Sequence, residues 1–175
     1  KVSRMDGAEL MNMMMLNKSI MILGETDILK GLLTLPGVQA ASEVATGYNV
    51  RGGSTDQNLV LLDDVPIMNM THFFGFFSNI NSDVIQNTEL FKSGIPASTG
   101  GRISSILDID SKTGDYEKYN LQGGISPISA NITFDGPILK NKISFIGSGR
   151  RTYSDWILSR VGDERVRNSS ASFYD

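Results

Sequence analysis

The hydrophobic pattern changes character along the chain, and each change marks an element. Ile28, Leu29, Leu32 and Leu33 recur at helical spacing and predict a short amphipathic helix. Thr26 or Asp27 supplies its N-cap, because a side-chain oxygen satisfies a backbone N–H that the first turn leaves unpaired. Pro36-Gly37 ends it. Tyr48 to Val50 then reads as a strand, followed by a turn in which Gly52-Gly53 permits positive φ without a Cβ penalty. Leu59 to Leu62 is an uninterrupted apolar run, short enough for a strand buried on both faces. Asp63, Asp64 and Pro66 carry turn chemistry. Thr88 to Lys92 alternates as a half-buried strand, and Ile106 to Asp110 reads as another.

The intervening segments are less regular. Val38 to Thr46 is small and polar and reads as a loop. Pro66 to Phe77 holds Phe73, Phe74, Phe76 and Phe77 around Gly75, beside His72, the sole histidine. Two readings stay open there: a packed aromatic cluster, favoured by the burial each ring offers, or a loop whose rings touch a ligand. Asn79 to Asn87 reads as a helical turn, and Ser98 to Arg102 as a second glycine turn. After Asp115 the period becomes strictly two. Ile128, Ala130, Ile132 and Phe134 alternate with Ser129, Asn131, Thr133 and Asp135, and Ile143 and Phe145 flank Ser144 beyond a turn. Such alternation describes an outer-membrane β-strand, and equally a soluble hairpin with one wet face.

Composition removes several function classes. A formal net charge of −3 over 175 residues argues against a nucleic-acid binder. The absence of cysteine rules out disulfides, thiolate nucleophiles and cysteine metal sites. With 40% hydrophobic residues the chain can bury a core, yet no apolar run of about twenty residues predicts a transmembrane helix. Lys1 to Leu10 lacks the apolar region of a signal peptide, so an exported protein would have lost its signal, and the chain reads as a fragment because it stops at Phe173-Tyr174-Asp175 without a closing element. The methionine run Met11 to Met15 reads as adaptable apolar filling. Catalytic chemistry finds no foothold. Asp63 and Asp64 are adjacent in a turn, Asp108 and Asp110 share one side of a strand without further machinery, and His72 lacks partners for a metal. No enzyme, cofactor or metal site is expected.

Several pieces, in order, carry a resemblance. Leu35-Pro36-Gly37-Val38, then Arg51-Gly52-Gly53, Leu62-Asp63-Asp64-Val65-Pro66, Leu90-Phe91-Lys92-Ser93-Gly94-Ile95-Pro96-Ala97 and Gly100-Gly101-Arg102 resemble the plug domain of TonB-dependent outer-membrane receptors. The resemblance covers Ile28 to Gly114 and continues more weakly into the family's first barrel strands. It implies an α/β plug with a small mixed β-sheet and short helices, followed by antiparallel β-strands of a truncated transmembrane β-barrel. The implied domains are a lead-in at 1–24, a plug at 25–115 and barrel strands at 116–175. Those strands are placed near Tyr119–Ile125, Ile128–Gly136 and Lys142–Arg151, with Asn141 in a short turn, within a pore of about 22 strands.

The resemblance also implies sites and partners. Outer plug loops bearing Asp56, Gln57, His72, Phe73 and Phe74 would meet an external iron chelate, cobalamin or glycan. Arg51, Lys92 and Arg102 would dock the plug against acidic groups of its own barrel, Lys92 without the bidentate fork an arginine offers. The TonB energy-transducing complex would engage a segment upstream of this chain, and the protein would lie in the outer membrane of a Gram-negative bacterium. The alternatives are a soluble small-sheet binding module, and a receptor used mainly for signalling.

Overall fold

A computed structural model describes residues 8–12, 27–41, 47–72, 77–95, 99–153, 160 and 173–175. Among them, the residues within 8–79 and 85–111 form one unit, and 80–84 with 112–175 form a second. The first holds a five-stranded mixed sheet. Its order is β1 (Ala8–Asn12), β8 (Ile85–Phe91), β9 (Ser105–Ser111), β4 (Asn58–Leu62), β5 (Val65–Pro66). Only β4 and β9 run parallel, pairing Leu59 with Ile106 and Leu62 with Ile109. Two short hairpins accompany the sheet: β2 (Val38–Ala40) with β3 (Tyr48–Val50), and β6 (Thr71–His72) with β7 (Phe77–Ser78).

Sequence explains the layering. β4 lies between β9 and β5, and its apolar run buries Val60 on one face of the sheet and Leu61 on the other. Val60, Leu90, Leu107 and Ile109 are buried on one face. Leu61, Phe91 and Ile106 cluster on the other with Leu59 and Ile95. Each such side chain contributes roughly 1.5–3 kcal/mol on burial. Helix α1 (Ile28–Leu32) buries Ile28 and Leu32 completely, four residues apart on one face. Its N-cap is Asp27, whose Oδ1 accepts from the N–H groups of Leu29 and Lys30 at 2.8 and 3.3 Å. Thr26 lies outside the described residues.

Some expectations shift. Val38 opens a strand rather than a loop, paired with Val50. Only Val38 of those three residues is buried, so no alternation announced it. β8 begins at Ile85, three residues before the expected Thr88, because the helical turn before it is a single 3-10 turn at Ser82–Val84. β1 lies in the stretch read as lead-in and occupies the sheet edge beside β8. The methionine run, apart from Met11 in β1, lies outside the described residues.

The second unit is a three-stranded antiparallel meander: β10 (Asn120–Ile125), β11 (Ser129–Leu139) and β12 (Ile143–Thr152). These bounds lie within a few residues of the expected ones, although β11 runs through Gly136 to Leu139 before turning at Asn141, φ 60°. Register sorts the faces. Leu121 pairs with Phe134, and Gly123 with Ile132, giving an apolar face; Gln122 pairs with Thr133, and Thr133 with Ser148, giving a polar one. On the polar face Asn131 Nδ2 donates to Asp83 Oδ2 at 2.7 Å and Asn81 Nδ2 donates to Ser148 Oγ at 2.5 Å. The 3-10 turn is thereby fastened to β11 and β12.

Candidate functional site

Two turns meet at one end of the mixed sheet. After β3, the Gly53 N–H donates to the Val50 carbonyl at 2.9 Å, with φ 50° at Arg51 and 80° at Gly52. Positive φ at both central residues makes this a type I′ turn. The left-handed positions are therefore Arg51 and Gly52, not Gly52 and Gly53. Gly53 is required for a different reason: an added Cβ would sit 2.3 Å from Ser104 Oγ. Ser104 Oγ donates to the Val50 carbonyl at 3.0 Å, and its N–H donates to the Gln57 carbonyl at 3.0 Å. These bonds bring the Arg51 turn and the Arg102 turn together, although they are far apart in sequence. Both arginines are exposed. Arg51 Nη1 donates to the Lys92 carbonyl at 3.3 Å, and Lys92, itself buried, donates from Nζ to the Pro36 carbonyl at 2.8 Å. Among the described residues Arg102 Nη1 donates to its neighbour's carbonyl, Gly101, at 3.1 Å.

Beside this end lies a cleft of about 260 Å³, bounded by Tyr48, Asp56, Asn58, Met70 and Thr71 over an apolar floor that includes Leu29. Asp56 stands on a 3-10 turn, Thr55–Gln57, and accepts from the Ser54 hydroxyl. Gln57 Oε1 accepts from the Ser54 N–H at 3.3 Å, so its side chain closes the turn. Asn58 is committed too: Nδ2 donates to the Tyr48 carbonyl at 2.6 Å and Oδ1 accepts from the Ser105 hydroxyl at 2.7 Å. The hydroxyls of Tyr48 and Thr71 differ. Their residues are 4% and 6% exposed; among the described residues the Thr71 hydroxyl has no hydrogen-bond partner, whereas the Tyr48 hydroxyl lies against the Ser105 side chain. Burial pushes the Tyr48 phenol up to about 12, a rise that neighbouring Ser105 only partly offsets.

Of the expected ligand residues, the structure therefore brings Asp56 to the cleft and places Gln57 just outside it. His72 is half-buried on β6, next to the cleft residue Thr71. Phe73 and Phe74 lie outside the described residues. Sequence reasoning passed over Tyr48 and Thr71, since nothing in a hydrophobic pattern tells a paired buried hydroxyl from an unpaired one. At the opposite end of the sheet Asp108 is held above the usual carboxylate range, first by burial and then by Asp110, Asp64, Glu89 and Asp63. Among the described residues no group of three or more such side chains is placed to hold a metal.

The sequence matches the family described as TonB-dependent Receptor Plug Domain over residues 17–106, just over half of the 175. The chain belongs to that family. The plug match runs from before α1 into β9, and so contains both turns and every residue of the cleft. Among solved structures, the siderophore receptor PirA from Acinetobacter baumannii aligns with TM-score 0.62 and 19% identity, over 84% of this chain and 25% of that one. A variant of the ferric enterobactin receptor PfeA from Pseudomonas aeruginosa, in complex with enterobactin, aligns with TM-score 0.60 and 16% identity, over 85% of this chain and 25% of that one. The chain thus spans about a quarter of the length of these receptors. The shared fold is a plug followed by antiparallel barrel strands. No curated protein matches the sequence.

Proposed function

We propose that this plug, with the barrel strands that follow it, belongs to a receptor that binds an external ligand and passes it across the outer membrane of a Gram-negative bacterium. The lead-in is 1–24, the plug 25–115 and the opening of the barrel 116–175. The observation that carries the reading is the sorting of β10–β12 into an exposed apolar face and a polar face directly after a plug sheet. That order suits strands with lipid on one side and a plugged lumen on the other. The plug closes the pore, and the TonB complex, engaging a segment outside this chain, supplies the energy for passage. The role is transport and binding, not catalysis.

The exposed Arg51 and Arg102 turns, fastened together through Ser104, support a docking end that faces acidic groups of the barrel wall, with Lys92 bracing Arg51 from behind. The cleft beside those turns, with Asp56, Gln57, His72 and the loop of Phe73 and Phe74, supports the side that meets the ligand, of iron-chelate, cobalamin or glycan class. The test is expression of the full-length protein in a Gram-negative host. The expected result is a heat-modifiable band in the outer-membrane fraction and ligand accumulation that stops in cells lacking TonB. Recovery of the folded protein only from the soluble periplasmic or cytoplasmic fraction would overturn the reading.

A further inference from the structure

Two stretches of the plug sequence fold with the strands that follow it. One is Ile80–Val84, and the other is 112–115; both belong to the unit of β10–β12, not to that of the mixed sheet. The first lies on the polar face of the meander. Asp83 Oδ2 accepts from Asn131 Nδ2 at 2.7 Å, and Asn81 Nδ2 donates to Ser148 Oγ at 2.5 Å. Asn81 also accepts, at Oδ1, from the Asp83 N–H at 3.0 Å, so one buried side chain shapes the turn and holds it to β12. The second stretch is tied to the first and to the same strands. The Lys112 N–H donates to the Val84 carbonyl at 2.7 Å, and Lys112 Nζ to the Asp83 carbonyl at 2.7 Å. Gly114 passes so close to β12 that a Cβ would collide with the Phe145 carbonyl, and the Asp115 N–H donates to Asp135 Oδ2 at 2.9 Å.

The placement of these stretches along the chain gives them a role. β8 begins at Ile85, directly after the first, and β9 ends at Ser111, directly before the second. Two neighbouring strands within the mixed sheet are therefore joined at that end to chain that is already committed to β11 and β12. The contacts are short and geometrically specific: an amide to a carboxylate, an amide to a hydroxyl, a glycine against a backbone. Breaking a connected polar network piecemeal leaves donors and acceptors unmatched, so such a group separates as a whole or stays. Stability in a protein is distributed in cooperative units of this kind, and their limits need not follow the order of the sequence.

We propose that Ile80–Val84 and 112–115 are a fixed anchor of the plug on the barrel wall, with Asp83 and Asn131 as its positioning pair, and that the rearrangement that lets a ligand pass leaves this stretch of wall closed. The proposal rests on the reading of β10–β12 as barrel strands whose polar face lines the lumen. The anchor melts with the barrel although it lies within the plug sequence.

The test is hydrogen exchange of the full-length protein in detergent micelles, read by mass spectrometry across a urea series. The amides of Val84 and Lys112 should keep their protection after β4 has lost its own, and lose it with β10–β12. Loss together with β4 would overturn the proposal. Asn131→Asp sets a carboxylate against Asp83, and protection at Val84 and Lys112 should fall about tenfold while that of β4 holds. Adding Asp83→Asn exchanges amide and carboxylate and should restore protection to within about twofold. Cells that carry Asn131→Asp should also admit vancomycin, too large for an intact outer membrane, and the double variant should exclude it again. No rescue, or no rise in vancomycin sensitivity once protection has fallen, would overturn the anchoring role. Where Asn131→Asp is not recovered in the outer membrane, Asn81→Ala removes the bond to Ser148 without adding charge and should shift both readouts in the same direction by less. Any of these failures in a protein that still fractionates with the outer membrane sinks this proposal alone. Recovery of the unmodified protein only from a soluble fraction sinks the receptor reading beneath it.

Discussion

Asp27 shows how much one side chain can hold. Its Oδ1 caps α1, and its Oδ2 accepts from the Ser78 N–H at 2.6 Å, a residue on β7 far along the chain. The carboxylate is buried, so the helix start and the small hairpin are joined through one group. Asp27→Ala should cost about 2–4 kcal/mol, a cap plus a charged hydrogen bond. Asp27→Ser should recover about 1 kcal/mol, the cap alone, because serine is too short to reach Ser78 as well. Urea unfolding followed by circular dichroism would read both; equal losses for the two variants would mean that the cap contributes nothing. The cap was legible in the sequence, since Asp27 precedes an apolar helical face. The bond to Ser78 was not, because only tertiary packing brings the two together.

Asp108 makes the opposite kind of contribution. Its folded-state pKa is raised, so the folded protein holds this proton more tightly than the unfolded chain does. Stability is then greater when the group is protonated, and falls as pH rises from the ordinary carboxylate value through the raised one. Asp108→Asn should therefore raise the urea midpoint at neutral pH, with the gain shrinking toward zero in acid. A gain of the same size at pH 4 and pH 7 would trace the effect to packing rather than to charge.

At the scale of elements, the β4–β5 hairpin carries the sharpest expectation. Leu62 pairs with Val65 across a two-residue loop in which Asp63 and Asp64 have φ 48° and 67°. That is the type I′ geometry, which favours glycine at its second position. Asp64→Gly should stabilise the unit by about 0.5–1 kcal/mol by removing the left-handed penalty, and should ease the repulsion on Asp108 as well. Asp63→Gly should not, because Asp63 Oδ1 accepts from the Ser111 N–H at 2.9 Å and ties the loop to the end of β9. Thermal melts of the two variants should move in opposite directions.

The same element shows where sequence reading reaches and where it stops. Leu59 to Leu62 announced a doubly buried strand, and Asp63-Asp64 its turn, because both signals are local. The parallel partner of β4 was invisible: Ser105 to Ser111 reads equally well beside any strand, and only the crossover through β8 decides the order. β2 has a single buried residue and so no period to detect. β1 is an edge strand whose partner, β8, lies most of the plug away. The cleft was half legible. Asp56 entered through the resemblance, as a residue of an outer loop, whereas nothing local singled out Tyr48 or Thr71, whose burial is set by packing between distant segments.

For the whole molecule, the decisive property is the two-sidedness of β10–β12. Leu121, Ile125, Ile132 and Phe134 stand on one face at 68%, 87%, 55% and 42% exposure, while Thr133, Ser129 and Thr152 on the other are buried. A water-soluble sheet does the reverse and hides its apolar side. A contiguous apolar face left in water is an aggregation surface, whereas against lipid it is the solvated side. A lysine at Ile132 should therefore cost roughly 2–4 kcal/mol near the bilayer midplane, enough to cut the folded, heat-modifiable fraction in liposomes severalfold. A lysine at Gln122, one residue along the neighbouring strand and on the polar face, should change that fraction little. The contrast between the pair is the informative quantity, since both substitutions add the same charge to the same sheet. If Ile132→Lys left insertion untouched and made the protein more soluble in plain water, the apolar face would be a wet one. The barrel reading of these strands would then fall, while the plug fold, which rests on its own core, would stand.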